Sequence, residues 1–136
     1  MRLPSLAAAI ALVAGAACTT SSGRPNPGSP LVGDWGGVHA ALSLTPTGGT
    51  ITYDCGNGVV SGPLVPDDAG NFDVRGVHMR GHGGPVRIGE VPDSVPARYV
   101  GRVDDRRMSL RVAVGADTLG PFQLQLAAAP QLFRCL

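Results

Sequence analysis

The chain has 136 residues, with eleven basic side chains against ten acidic ones and a formal net charge of +1. Every basic residue is arginine, and the near-balance leaves no field that would gather nucleic acid or an anionic lipid surface. The length supports one domain around one core.

Residues 1–17, MRLPSLAAAIALVAGAA, carry one arginine, an apolar run from Leu6 to Val13 and small residues ahead of Cys18. Such a run falls well short of the roughly 20 apolar residues needed to cross a bilayer, so it is expected to act as an export signal. The stretch Val13-Ala14-Gly15-Ala16-Ala17-Cys18 resembles a bacterial lipobox, with Gly15 where leucine is commonest. That resemblance implies cleavage before Cys18 and lipid attachment to its sulfur. The alternative is ordinary cleavage after Ala16 or Ala17. Residues 18–30 then form a Ser/Thr/Pro/Gly tether that cannot pack a core, and residues 31–136 form the domain. The expected location is the periplasm or cell surface, with the membrane reached through the acyl anchor.

Period-two alternation dominates from residue 38 onward. Val38, Ala40, Leu42 and Leu44 alternate with polar or small residues, Gly48-Gly49 offers a turn, and Ile51, Tyr53 and Cys55 continue the inward set. Asn57-Gly58 is the dipeptide expected to make a hairpin turn. Val59 to Leu64 returns as a short strand, and residues 66–71 read as a turn. Phe72, Val74, Val77 and Met79 form the next apolar set, broken in register by Gly76, where a bulge is expected. Tyr99, Gly101 and Val103 lead through Asp104-Asp105 into Met108, Leu110, Val112 and Val114, a hairpin. Turns near Gly115–Asp117 and at Gly120-Pro121 precede Phe122, Leu124 and Leu126. Gln131 to Leu136 forms a last strand with Phe133 and Cys135 on one face.

The pattern predicts an all-β fold, a small closed or nearly closed up-and-down barrel of seven or eight short antiparallel strands with a filled interior. A sandwich is the competing architecture. With Cys18 as anchor, Cys55 and Cys135 remain as an even pair in an exported chain, for which a disulfide is the simplest outcome and two buried thiols the alternative. A bridge from the second strand to the last would support closure.

Gly33-Asp34-Trp35 resembles the Gly-x-Trp opening of lipocalin-like barrels. The series GDWGGVH, ITYDCGNG, HGGPVR, PARYVGRVDDRRMSLRV, LGPF and LFRCL is similar to a family of small, exported, functionally uncharacterised bacterial proteins, many with lipoprotein signals. The resemblance covers essentially residues 31–136. It implies an ordered domain with Cys55 paired to Cys135, and it implies no activity.

HMRGHGGPVR, residues 78–87, is the densest cluster of chemistry-bearing side chains. His78 and His82 have the four-residue interval of ligands on a helix, but Gly81, Gly83, Gly84 and Pro85 argue against a helix there. His78 and Arg80 are expected on the outward face of a strand, with His39 and Asp54 also outward. A candidate binding patch therefore comprises His39, Asp54, His78, Arg80, His82 and Arg87. It has three readings: a metal site if the strands converge, an anion nest of glycine N–H groups and arginines, or a solvated polar loop. No motif calls for a cofactor, and no serine stands in a Gly-x-Ser-x-Gly context.

The resulting expectation is a lipid-anchored, non-enzymatic binding or interaction module of the cell envelope. Its partner would be a small anionic ligand or an envelope protein, met through the long, proline-containing segment 81–97. The alternative is a small metal-dependent or acid/base enzyme using His39, Asp54, His78 and His82.

Overall fold

The computed structural model describes residues 25–81 and 84–135. Residues 1–24, where an export signal, the lipidated Cys18 and most of a tether are expected, and His82 lie outside the described residues. Eight antiparallel strands run β1 (Gly33–Gly37), β2 (Ala40–Thr45), β3 (Gly48–Tyr53), β4 (Gly56–Val60), β5 (Asn71–Arg80), β6 (Ser94–Asp104), β7 (Arg107–Val114) and β8 (Asp117–Leu126). Each pairs with its neighbour in sequence, and β8 pairs with β1 through Trp35↔Leu126 and Gly37↔Leu124, closing the barrel. Closure gives each strand a hydrogen-bonded neighbour on both sides.

Alternation builds the interior. Leu42 and Leu44, Ile51 and Tyr53, Tyr99 and Val103, and Met108, Leu110, Val112 and Val114 are all buried, while their sequence neighbours are at least partly open to solvent. A buried aliphatic side chain of this size contributes about 1.5–3 kcal/mol. Trp35, 2% exposed, packs within the same cluster. The interior is therefore filled by its own side chains, as an eight-stranded ring of this size requires.

The turns divide the barrel into two ends. One end carries residues 38–39, Asp54-Cys55, Gly81, the segment 84–93 and Gly115-Ala116. The other carries Pro46-Thr47, the segment 61–70, Asp105-Arg106 and the exit from β8. At this second end, Asp67 Oδ1 accepts the N–H groups of Ala69 and Asn71, which fixes the turn read from residues 66–71. Pro25 and Pro27 lie here too, beside Asp67–Gly70 and Arg102–Asp105.

Several expectations are corrected. The hairpin between β3 and β4 turns at Asp54-Cys55, not at Asn57-Gly58, which sits in β4 opposite Thr52 and Ile51. Gly58 is needed inside the strand because Tyr99 lies over it. Gly76 makes no bulge: β5 stays in register with both neighbours, and a β-carbon at Gly76 would come 2.6 Å from the Tyr99 ring. The alternation of β5 therefore continues inward from Phe72 and Val74 through Gly76 to His78, leaving Val77 and Met79 on the other face. The one register shift among the described strand pairs falls between Leu110 and Val112, opposite β8. Strand β8 runs unbroken through Gly120-Pro121, where a turn was expected. The strands are also longer than expected, reaching eleven residues in β6.

The last strand expected over residues 131–136 does not form in the described residues 131–135. Only Gln131 makes a bridge, parallel to Val38, and residues 132–135 continue without ladder pairing. Cys55 and Cys135 are joined, their Cα atoms 5.4 Å apart. The bridge thus ties the β3–β4 turn to a strap running outside β1, and closure comes from β1 and β8 instead.

Candidate functional site

The strap and the β3–β4 turn meet at His39. This residue connects β1 to β2 with φ 72°, a left-handed conformation in which histidine is tolerated at some cost. Its backbone N–H donates to Gln131 O at 2.8 Å, and the Gln131 N–H donates to Gly37 O at 2.9 Å. The His39 ring then reaches Asp54: Nδ1 hydrogen-bonds Oδ2. The other carboxylate oxygen, Oδ1, accepts the backbone N–H of Phe133 at 2.8 Å, and the Phe133 ring packs 5.1 Å from the His39 ring. Asp54 is held below the ordinary carboxylate value, first by the Phe133 N–H and then by His39, against an opposing push from desolvation.

His39, Tyr53, Asp54, Cys55, Gly56, His78, Leu119 and Phe122 surround a cleft of about 250 Å³ at this end of the barrel. Tyr53 contributes the last inward side chain of β3 and sits 5.5 Å, ring to ring, from both His78 and Phe122. Burial pushes the Tyr53 phenol far up, with the neighbouring Tyr99 phenol acting in the same direction. Burial also pushes the His78 imidazole down, and Arg80 adds to this. Both rings are therefore neutral near pH 7. Buried His78 Nδ1 has no hydrogen-bond partner, a deficit that costs about 1–3 kcal/mol, whereas the Tyr53 hydroxyl lies against the buried Tyr99 phenol.

The sequence-predicted patch is thus partly assembled. His39, Asp54 and His78 share one cleft, but His78 faces inward with Tyr53, contrary to the outward placement expected. The cause is the uninterrupted alternation through Gly76. Arg80 is exposed over a second groove with Gly56, Met79, Val86, Val91 and Asp93. Arg87 lies farther along the loop, in a turn closed by Glu90, whose carboxylate accepts the Arg87 backbone N–H at 3.0 Å. His82 lies outside the described residues. The Gly81 N–H is donated to Cys55 O at 3.1 Å, so it is not free to form an anion nest. No group of three His, Cys, Asp or Glu residues suited to a metal ion occurs among the described residues.

The sequence pattern places Tyr53 and Phe122 in the inward set and does not single out Leu119. The available signal was parity: Tyr53 ends one inward row and His78 ends another, on strands whose turns lie at the same end. The same end of the barrel carries exposed apolar side chains. Val86 is 75% exposed, Ile88 is fully exposed and Val91 is 85% exposed on the β5–β6 loop, joined by Val38, Leu132 and Phe133. Pro96, expected within this loop, instead pairs with Val77 inside β6.

Compared with known proteins, the chain matches no family model, no curated sequence and no solved structure.

Proposed function

We propose that this protein is an exported, lipid-tethered binding module of the cell envelope, non-enzymatic, whose working surface is the barrel end formed by His39, Asp54-Cys55 and the 84–93 loop. The observation that carries the reading is that Val38, Val86, Ile88, Val91, Leu132 and Phe133 are all exposed on segments at that one end, where Val86 and Val91 line a groove with Arg80 and Asp93. Exposed apolar side chains concentrated in this way mark contact sites. An envelope protein is the partner that such a surface suits.

The tether favours this orientation. Pro25 lies at the opposite end of the barrel, and Cys18 stands seven positions earlier, a reach of at most about 25 Å. An acyl anchor on Cys18 would therefore direct the apolar end away from the bilayer. Replacing Cys18 tests the anchor: Cys18→Ser is expected to move the protein from the membrane fraction to the soluble exported fraction, and retention at the membrane would rule the acyl anchor out.

The enzymatic alternative draws on the His39–Asp54 pair, which has the form of an acid/base dyad. Its other contacts assign the pair to the strap, since Asp54 also holds the Phe133 N–H and the neighbouring Cys55 is bonded to Cys135. Stoichiometric zinc or copper in the purified protein, lost in His39→Ala and His78→Ala, would favour the enzyme.

A further inference from the structure

We propose that the outer wall of β5, β6 and β7 is a second contact surface, which takes an extended acidic peptide segment of a partner protein, with carboxylates at alternate positions. It lies apart from the apolar end and does not depend on that reading.

The balanced total charge conceals a segregated one. No arginine stands between residues 25 and 74, so β1 to β4 bring none to the barrel wall. On β5 to β7 the alternation that turns Phe72, Tyr99, Met108 and Leu110 inward turns Arg75, Arg98, Arg102, Arg107 and Arg111 outward, all of them exposed. Two carboxylates share this face. Asp73 accepts from Arg98 through Nε at 3.1 Å and through Nη2, and Asp104 stands opposite Arg107 at the end of the hairpin. Arg75, Arg102 and Arg111 have no side-chain partner among the described residues. Arg75 also pairs directly with Arg98 across β5 and β6, and like charges so placed repel, with Asp73 the one carboxylate beside both.

The spacing selects the occupant. Arg98 and Arg102 stand four positions apart on β6, about 13 Å along the strand. Arg111 on β7 pairs with Val100 and so stands midway between them. An extended peptide laid along β6 repeats the side chains of one face about every 6.6 Å. Three carboxylates at alternate positions therefore fall on Arg98, Arg111 and Arg102, each a guanidinium able to grip a carboxylate with two hydrogen bonds. Val100, 38% exposed in the middle of the row, offers aliphatic surface to the methylenes of a glutamate. A single small anion would reach only one of these positions. An anionic bilayer fits less well, because the acidic turns Asp67-Asp68 and Asp104-Asp105 at the end of the same wall would face its headgroups.

The test is fluorescence anisotropy on the full exported protein, disulfide intact, at neutral pH and low salt. The probes are a labelled peptide alternating glutamate with serine, a peptide of the same composition with its glutamates in one block, inorganic polyphosphate, and vesicles of phosphatidylglycerol and phosphatidylcholine. The alternating peptide is expected to bind saturably and tightest, and to weaken as salt rises. Arg75→Gln combined with Arg111→Gln, at exposed positions whose side chains hold nothing else, should weaken it about 3- to 10-fold. Asp73→Asn, which frees Arg98, should tighten it. Arg134→Gln, which removes the same charge from the strap, should leave it unchanged. The proposal is overturned by the absence of saturable binding, by equal binding of the block peptide, or by an equal loss in Arg134→Gln. Weaker binding in Asp73→Asn overturns it too, and tighter binding of polyphosphate or vesicles would assign the wall to a different anion.

Discussion

Tyr99 of β6 lies directly over Gly58 of β4, so that a β-carbon on Gly58 would come 2.1 Å from the phenol oxygen. That oxygen donates to Val77 O at 2.7 Å, and Tyr99 is completely buried. Gly58→Ala must therefore displace the hydroxyl and strain its hydrogen bond in a close-packed interior. The expected loss is about 2–4 kcal/mol, the sum of overpacking and a broken bond. Urea unfolding measures it, and Tyr99→Phe in the Gly58→Ala background should recover part of the loss. An unchanged midpoint in Gly58→Ala would contradict the packing described here.

The Cys55–Cys135 bridge spans 80 positions but joins a turn to an external strap. Its stabilisation comes mainly from restricting the unfolded chain, about 2–4 kcal/mol in typical cases. The double variant Cys55→Ser/Cys135→Ser should lose that amount and keep the strand signature in circular dichroism, because β1 and β8 close the barrel without the bridge. Amide exchange at residues 131–135 should accelerate. Loss of the strand signature at 25 °C would show that the staple, not the ladder, holds the ring.

Asp54 couples the strap to pH. Its folded value lies below the ordinary 3.8, so its stabilising contribution is fully present above 3.8 and lost as pH falls through the lower folded value. The Phe133 amide resonance should move with that acid transition, and Asp54→Asn should abolish the movement while an amide oxygen still accepts the N–H. An identical transition in Asp54→Asn would assign the effect to another group.

His78 titrates below 6.5, through burial first and Arg80 second. Folding favours the neutral ring, so this contribution is present above 6.5 and lost as pH falls through the depressed folded value. In a titration of the ring nitrogens, Arg80→Ala should raise the midpoint toward 6.5 without reaching it, since burial remains. A midpoint at or above 6.5 in the native protein would contradict the inward placement of His78.

The barrel was legible because most of its inward rows keep strict alternation: Leu42 and Leu44, Ile51 and Tyr53, and Met108 through Val114 all fall as the period predicts. What escaped depends on contacts far apart in sequence. Gly76 and Gly58 read as a bulge and a turn because nothing local announces that Tyr99, on β6, needs both vacant. His78 was turned outward for the same reason, one misread glycine inverting every side chain after it. The terminal segment carries strand-like residues, but beyond the Val38–Gln131 bridge residues 132–135 make no ladder and end instead at the Cys55–Cys135 bond. Of the candidate site, the residue types were visible and His39, Asp54 and His78 do meet, whereas Arg80 and Arg87 separate along a loop whose course no periodicity encodes.

The central claim is that the end bearing Ile88 and Val91 is the surface that meets a partner. Photoreactive residues placed in the cell at Ile88 and Val91, and at Thr47 and Asp68 on the opposite end, test it directly. The account predicts one discrete adduct from Ile88 and Val91, none from Thr47 or Asp68, and loss of the adduct when Val86→Ser is combined with crosslinking from Val91. Adducts formed from Thr47 or Asp68 alone would contradict it.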